Sequence, residues 1–181
     1  MEKIYQVQIK GTTALLQNRF SNAESITESK KKASTTKENN VENTLYVMPD
    51  KKVYQPAECI KQSMIEAGKS FKKGRGNVSK TFASFILVTP EAIIHEKQKW
   101  IVDRRAVVIP STKGRVMRNR ARFNEWSLSF EIEVLDDDEI NAKLLNDVLS
   151  QAGHYVGIGD YRPQKKGIYG RFIITSFKEK K

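Results

Sequence analysis

The nine residues from Trp126 to Val134 constrain the fold more than any other part of the chain, because apolar and polar side chains alternate through them without a break. A period of two residues is the period of a β-strand, in which successive side chains point to opposite faces of the sheet. The apolar positions are Trp126, Leu128, Phe130, Ile132 and Val134. Serines and glutamates fill the positions between them. The segment therefore predicts a strand of an antiparallel sheet that is covered by a core on one side only.

Five further segments give an ordered set of elements around this strand. They are a strand over 4–16 that is interrupted at Gly11–Thr13, a helix over 56–72, a strand over 81–89, a helix over 136–153 and a final strand over 171–177. Pro56 suits the first position of one helix, and Asp136–Asp138 suit the start of the other. The order β-α-β-β-α-β predicts an α+β fold of the ferredoxin-like (RRM-like) type, an antiparallel sheet with two helices on one face. The open face of such a sheet commonly binds single-stranded nucleic acid.

Two segments interrupt this single predicted domain, which spans residues 1–181. Residues 21–44 contain only four apolar side chains among Ser, Thr, Asn, Lys and Glu, so we expect a mobile loop that cannot bury enough surface to become ordered. Residues 91–123 contain two β-prone pieces in a basic stretch, and they predict a basic β-hairpin that projects from the core. A shorter hairpin is predicted around Pro49-Asp50.

The charge of the chain is large and unevenly distributed. There are 32 Lys and Arg against 21 Asp and Glu, which gives a formal net charge of +11. Residues 97–122 hold nine basic residues and a single acid, Asp103, whereas residues 131–139 hold six acids. Segregated charge of this kind favours a polyanionic partner, and nucleic acid is the first candidate.

Composition argues against several other classes of protein. No apolar run approaches the roughly 18 residues that a membrane span needs, and the first residues lack the apolar region of a signal peptide. The basic stretches form no amphipathic helix, which disfavours a membrane partner. A lone cysteine, Cys59, excludes an internal disulfide and suggests a reducing, cytoplasmic compartment. Two histidines and one cysteine, far apart in the sequence, cannot form a zinc cage, and we expect no metal, cofactor or catalytic residue.

Three segments carry the candidate nucleic-acid contacts. If Arg118–Arg122 is extended, its three arginines point one way about 6.6 Å apart, close to the phosphate spacing of a stretched single strand. The glycines of residues 157–170 allow a close approach of backbone to a ligand, although glycines more often serve turns. Lys72–Gly76 is a flexible cationic loop. The arginines also fit an exposed edge strand whose charges prevent aggregation, and the cationic loop also fits a solvated helix end.

The order of elements, together with Gly157-Ile158-Gly159 and Gly170-Arg171-Phe172, resembles the RAMP superfamily of CRISPR effector complexes, and most closely the backbone subunit that polymerises along guide RNA. Residues 54–61 are similar to the Pro-x-Ser-Ser-x-Lys/Arg-Gly opening of the first helix in that family. Here Glu58-Cys59 replace the serine pair and Gln62 replaces the glycine. Some members cleave target RNA with an aspartate in the loop after the first strand, but residues 20–44 contain none, so we expect no enzyme activity.

The resemblance implies that Lys61, the glycine loop and the basic insertion, acting as the family's thumb, line one RNA groove. The complete set of predicted nucleic-acid contacts is Lys61, Lys72, Lys73, Arg75, Arg104, Arg105, Arg115, Arg118, Arg120, Arg122, Gly157, Gly159, Arg162, Lys165 and Lys166. The function predicted is sequence-independent binding of single-stranded guide RNA by a CRISPR-type antiviral subunit. We expect it to assemble head to tail with copies of itself and with other effector subunits.

Three other functions remain open at the level of sequence. The chain also fits a stand-alone single-stranded DNA- or RNA-binding protein, such as a virus-encoded one, that acts in replication or recombination. It also fits a metal-dependent nuclease, or a structural protein whose basic face meets an acidic protein. Dependence of binding on 2′-hydroxyl groups would separate an RNA specialist from a DNA-binding protein.

Overall fold

The computed structural model describes residues 2–19, 41–108 and 114–180, without the side chain of Val116, and has an α+β fold with antiparallel sheets. In this part of the chain there are three α-helices: α1 Ala57–Ala67, α2 Ser79–Phe85 and α3 Ala142–Gln151. The strands are β1 Lys3–Gly11, β2 Leu15–Gln17, β3 Tyr54–Pro56, β4 Lys72–Lys73, β5 Gly76–Asn77, β6 Ile86–Thr89, β7 Ala92–Ile94, β8 Ile101–Val108, β9 Arg115–Phe123, β10 Ser127–Val134 and β11 Phe172–Glu179.

The central sheet has four strands in the order β11-β1-β10-β6, and every neighbouring pair is antiparallel. Helix α1 lies between β1 and β6 in sequence, and α3 lies between β10 and β11. The two helices pack against each other over the sheet. This arrangement is compatible with a ferredoxin-like core.

The core forms where the sequence pattern places it. In β1, Tyr5, Val7 and Ile9 are buried, as are the even-numbered residues of β10, and Tyr5 lies opposite Ile132 in the register. Trp126 is 2% exposed and its indole Nε1 donates a hydrogen bond to the Thr13 carbonyl at 2.8 Å. The predicted alternation over 126–134 is therefore confirmed.

The base of the basic hairpin belongs to the core and does not simply project from it. Strands β8 and β9 form the hairpin, and β9 pairs with β2 on its other side. Ala121 and Phe123 at the end of β9 are fully buried, together with Leu15 and Leu16 of β2. The expectation that the insertion leaves the core was therefore wrong for its last residues, because their apolar side chains complete the packing.

Three predicted element boundaries were wrong. Helix α1 ends at Ala67, where a 3₁₀ turn over Gly68–Ser70 follows, and not near Lys72. Residues 79–85 form helix α2 and not a strand, since Phe82 is fully buried and its N–H donates to Val78 O at 2.9 Å. Only Ile86–Thr89 is a strand there. Helix α3 begins after Asn141, whose Oδ1 accepts the N–H of Leu144 at 2.9 Å, and not at the three aspartates. The first N–H groups of a helix have no partner within the helix, and the Asn141 side chain satisfies one of them. The helix therefore begins directly after this asparagine.

The predicted mobile loop over 21–44 is corrected at its end and otherwise lies outside the described residues. Residues Val41–Thr44 form one 3₁₀ turn, with Val41 and Thr44 buried. The Thr44 hydroxyl oxygen accepts the backbone N–H of Ala121 at 3.2 Å. The turn therefore satisfies a buried donor of β9, which sequence composition does not reveal.

His95 is a buried polar group beneath the hairpin base, and it gives a pH prediction. It is 1% exposed, its ring stacks on Phe123 with centroids 4.6 Å apart, and its Nε2 lies 3.2 Å from Gln17 Nε2. Burial lowers the pKa of His95 from 6.5 to about 4. Because the unfolded chain binds this proton more readily, stability is complete above about pH 6.5 and is lost as the pH falls toward 4.

We expect the free energy of unfolding to fall by about 2 kcal/mol between pH 7.5 and pH 5 through His95 alone. Urea unfolding at the two pH values measures it. A His95→Gln variant should lose this part of the pH dependence, whereas His154→Gln, at an exposed histidine, should keep it. An unchanged pH dependence in His95→Gln would contradict the assignment.

Candidate nucleic-acid interface

The predicted alignment of the three β9 arginines is confirmed. In the register of the hairpin, Arg118, Arg120 and Arg122 lie opposite Arg105, Asp103 and Ile101. Paired residues share a face of a sheet. One face of the hairpin therefore carries four arginines and one aspartate, while Arg104 and Arg115 lie on the other face.

The single acid of the basic segment organises this face. Asp103 is 7% exposed, and its carboxylate accepts two hydrogen bonds from Arg105, at 2.5 Å from Nε and 2.6 Å from Nη2. Arg122 Nη1 lies 3.7 Å from the same carboxylate. The hydrogen bond to Asp103 raises the pKa of Arg105, so this guanidinium is permanently charged.

The same arginines pack on an aromatic ring of the glycine loop. Arg105 Nη2 donates to the Tyr169 hydroxyl at 2.5 Å, and its guanidinium carbon lies 4.9 Å from the ring centroid. The Arg122 guanidinium carbon lies 5.6 Å from the same centroid. Arg120 forms an ion pair with Asp160 of the loop. The hairpin and the glycine loop are thus brought together by contacts that use three of the predicted RNA-binding arginines within the protein.

The glycines of this loop are explained by packing. Gly157 has φ +73° and Gly159 has φ +77°, a region that side chains other than glycine rarely adopt. A Cβ on Gly159 would lie 2.5 Å from the carbonyl oxygen of Leu16, and one on Gly157 would lie 2.8 Å from Pro163 Cδ. Contacts between RNA and these two glycines stay a prediction, because the tight turn alone requires both of them.

A groove of about 530 Å³ lies between one side of α1, the end of β2 and the glycine loop. Its floor contains Gln17 and Gln55, both 1% exposed, and Gln17 Nε2 donates to Tyr54 O at 2.8 Å and to Gln55 Oε1 at 3.2 Å. Its wall contains the thiol of Cys59, whose pKa is raised by burial. The residues lining the groove are Gln17, Asn18, Tyr46, Gln55, Pro56, Glu58, Cys59, Gln62, Ser63, Glu66, Ile158, Gly159, Asp160, Arg162 and Gln164.

Exposed cations surround the junction of hairpin and loop. Arg118 is exposed on the arginine face of the hairpin, and Lys165 and Lys166 are exposed at the end of the short 3₁₀ turn after Arg162. Arg162 is held in place, since its Nη1 donates to Gly159 O and its Nε to Gln164 Oε1, both at 2.9 Å. We call the exposed cations Arg118, Lys165 and Lys166 the basic rim.

Other predicted contacts are not brought to this junction. Lys72, Lys73 and Arg75 lie in or beside the paired strands β4 and β5, which replace the predicted flexible loop, and none of the three lines the groove. Lys73 forms an ion pair with Glu139. Lys61 is half-buried on α1, but it is the neighbouring residue Gln62 that lines the groove.

The open face of the central sheet does not have the character of a stacking platform. In the described residues, the side chains at its centre are Gln6, Gln8, Ser129 and Glu131, and Gln6 Nε2 donates to Glu131 Oε1 at 3.3 Å. Base stacking needs aromatic side chains. The candidate interface therefore lies at the hairpin and glycine loop.

Two acids, which were missed as functional residues in the sequence, complete the interface together with Tyr169. Asp103 and Asp160 fix the arginines, and Tyr169 carries two guanidinium groups. Asp103 had a usable signal, because it is the only acid in the basic stretch and stands two residues before Arg105. Asp160, the partner of Arg120, lies 40 positions away in the sequence, so no local pattern indicated this pair.

One acidic group outside this interface has the composition of a metal site. The carboxylates of Asp136, Asp137 and Asp138 have oxygens within 4.8 Å of one another on the loop before α3. Asp136 Oδ1 accepts the N–H of Asp138, and Asp137 forms an ion pair with Lys3 at 3.4 Å. These contacts account for the cluster as a turn.

None of the helices in the described ranges is long and apolar enough to cross a membrane.

Comparison with known proteins gives a likeness of fold. No protein-family model matches the chain, and no curated protein matches it. The chain is similar to one in the cryo-EM structure of the Type III-B Cmr-beta bound to cognate target RNA, with a TM-score of 0.62 and 15% sequence identity. The match covers 99% of this chain and 61% of that one, so this chain spans less than two thirds of the length of its structural neighbour. At this identity the likeness shows a shared fold.

Proposed function

We propose that this protein binds single-stranded RNA without enzymatic activity, as a RAMP-type backbone subunit of a CRISPR effector complex that assembles head to tail along a guide strand. The observation that carries the proposal is the junction of the arginine face of the hairpin with the glycine loop beside a groove. Arg118, Lys165 and Lys166 are exposed at this junction and can contact the phosphates of a strand. The likeness to a chain from an RNA-bound Type III-B Cmr-beta structure supports the same reading.

The paired arginines have a positioning role in this proposal. Arg105, Arg120 and Arg122 hold the hairpin against the loop through Asp103 and Asp160, so the exposed cations form the direct phosphate contacts. Five exposed cations of the predicted set belong to the hairpin or the loop: Arg104, Arg115, Arg118, Lys165 and Lys166. Electrostatic contacts of this kind bind any sequence of bases.

Salt dependence tests the proposal. If about five phosphates are neutralised, log K for a fluorescein-labelled 12-mer RNA should fall with log salt concentration at a slope near −3.5, from roughly −0.7 per phosphate. Fluorescence anisotropy between about 50 and 300 mM salt measures the slope. A slope near zero would contradict binding through phosphates.

Two further measurements separate the proposal from its alternatives. Equal affinity for DNA and RNA oligomers of one length would favour a general single-strand binding protein, since an RNA specialist depends on 2′-hydroxyl groups. Sedimentation with 12-, 24- and 48-mer RNA should show a number of bound copies that rises with strand length. A constant stoichiometry of one would contradict head-to-tail assembly.

A further inference from the structure

The groove beside the glycine loop has the chemistry of a hydrogen-bonding ligand site. Its volume of about 530 Å³ lies within the range of small-molecule sites, which is roughly 300–1,000 Å³. Five side-chain amides line it, together with Tyr46, whose ring packs 5.7 Å from the ring of Tyr54. Amides offer both donors and acceptors, and the tyrosine offers an aromatic wall. Such a lining suits a planar polar group.

The charges inside the groove disfavour a phosphate there. Glu58 lies in the first turn of α1, where an acid offsets the attraction of a helix N-terminus for anions. Pro56, the N-cap residue of α1, has no backbone N–H to offer. Glu66, which is ion-paired with Lys69, and Asp160, which is ion-paired with Arg120, also line the groove, and Arg162 is the one cation among the lining residues. The phosphates of a bound strand therefore belong on the basic rim, and a neutral group belongs in the groove.

Two side chains on α1 are available to form hydrogen bonds with that group. Glu58 and Gln62 are four residues apart, so they lie on the same face of the helix, and both are exposed on the groove wall. Neither forms a hydrogen bond or ion pair within the described part of the chain. A carboxylate accepts hydrogen bonds only, and the adjacent amide can donate to an acceptor. Together they present two acceptors next to a donor.

We propose that the groove takes one unpaired nucleobase of the bound strand, and that Glu58 and Gln62 select guanine. The N1–H and 2-amino group of guanine donate to the Glu58 carboxylate, and the O6 atom accepts from the Gln62 amide. Uracil has no amino group and presents acceptors on both sides of its single N–H, so it leaves the carboxylate poorly matched. The inference rests on the proposed RNA binding and adds one position of base selectivity to contacts that are otherwise independent of sequence.

Binding of uridine 12-mers that carry a single central substitution tests the inference. The oligomer with one guanosine should bind about tenfold more tightly than the all-uridine strand, as one good bidentate contact to a base provides. Inosine lacks the 2-amino group, so an inosine oligomer should lose most of that gain. In Glu58→Gln, the ratio of the guanosine to the uridine affinity should fall below about twofold, while binding of the uridine strand is retained.

The matched control is Asp147→Asn, which makes the same change of charge at an exposed residue of α3 outside the groove. It should keep the guanosine preference of the wild-type protein. Retained binding of the uridine strand by Glu58→Gln shows that the variant is folded. Equal affinity of the wild-type protein for the guanosine and uridine strands would overturn this inference and leave RNA binding standing. Failure to bind any of the oligomers would overturn RNA binding itself.

Discussion

Replacing Gly170 by alanine is expected to lower the free energy of unfolding by about 4 kcal/mol, from backbone strain and overpacking together. Gly170 has φ +73°, and a Cβ there would overlap the carbonyl oxygen of Ile158. Both backbone groups of Gly170 are in use, since its N–H donates to Ala14 O at 2.8 Å and its carbonyl accepts the N–H of Ile158 at 3.0 Å. The clash is with backbone, so no side-chain rotation relieves it.

Urea unfolding monitored by tryptophan fluorescence measures this effect. Gly76→Ala is the matched control, because its new methyl group would have one neighbouring atom at 3.8 Å and the residue is exposed in β5. The control should stay within about 0.5 kcal/mol of the wild-type protein. If Gly170→Ala were equally stable, the close packing of Gly170 against the backbone of Ile158 would be disproved.

Removing the three exposed cations of the rim is expected to abolish most RNA affinity. The variant Arg118→Ala, Lys165→Ala, Lys166→Ala should bind a 12-mer RNA about 100-fold more weakly, since each lost phosphate contact costs on the order of 1 kcal/mol at an exposed site. The slope of log K against log salt should fall in magnitude by about 2, from roughly 0.7 per phosphate. The groove itself is untouched by these changes.

A control variant makes the same loss of charge elsewhere. Lys80 lies on α2, Lys143 on α3 and Lys178 near the end of β11, and all three are exposed and outside the predicted set of contacts. The triple alanine variant at these positions should lose less than about threefold in affinity and keep its salt slope. Equal losses in the two variants would show that net charge, and not this rim, drives binding.

The elements of the fold were largely predictable where local pattern decides them. The alternation of Tyr5, Val7 and Ile9 and of Leu128 to Val134 gave two central strands, because a period of two buries one face whatever the partner is. The helix α2 was not predictable from the same rule. Its short apolar segment around Phe82 fits a strand as well as a helix, and contact with α1 decides between them.

For the candidate site, the sequence determined the inventory of charge and the common direction of Arg118, Arg120 and Arg122. Tertiary structure decided which arginines are exposed. Within the protein, Arg105 pairs with Asp103, Arg120 pairs with Asp160, and the guanidinium groups of Arg105 and Arg122 pack on Tyr169. It also decided that the groove forms between segments far apart in the chain, from β2, α1 and the glycine loop. Side-chain period and charge are local properties of a sequence, whereas pairing of charges and the shape of a cavity depend on which distant segments meet.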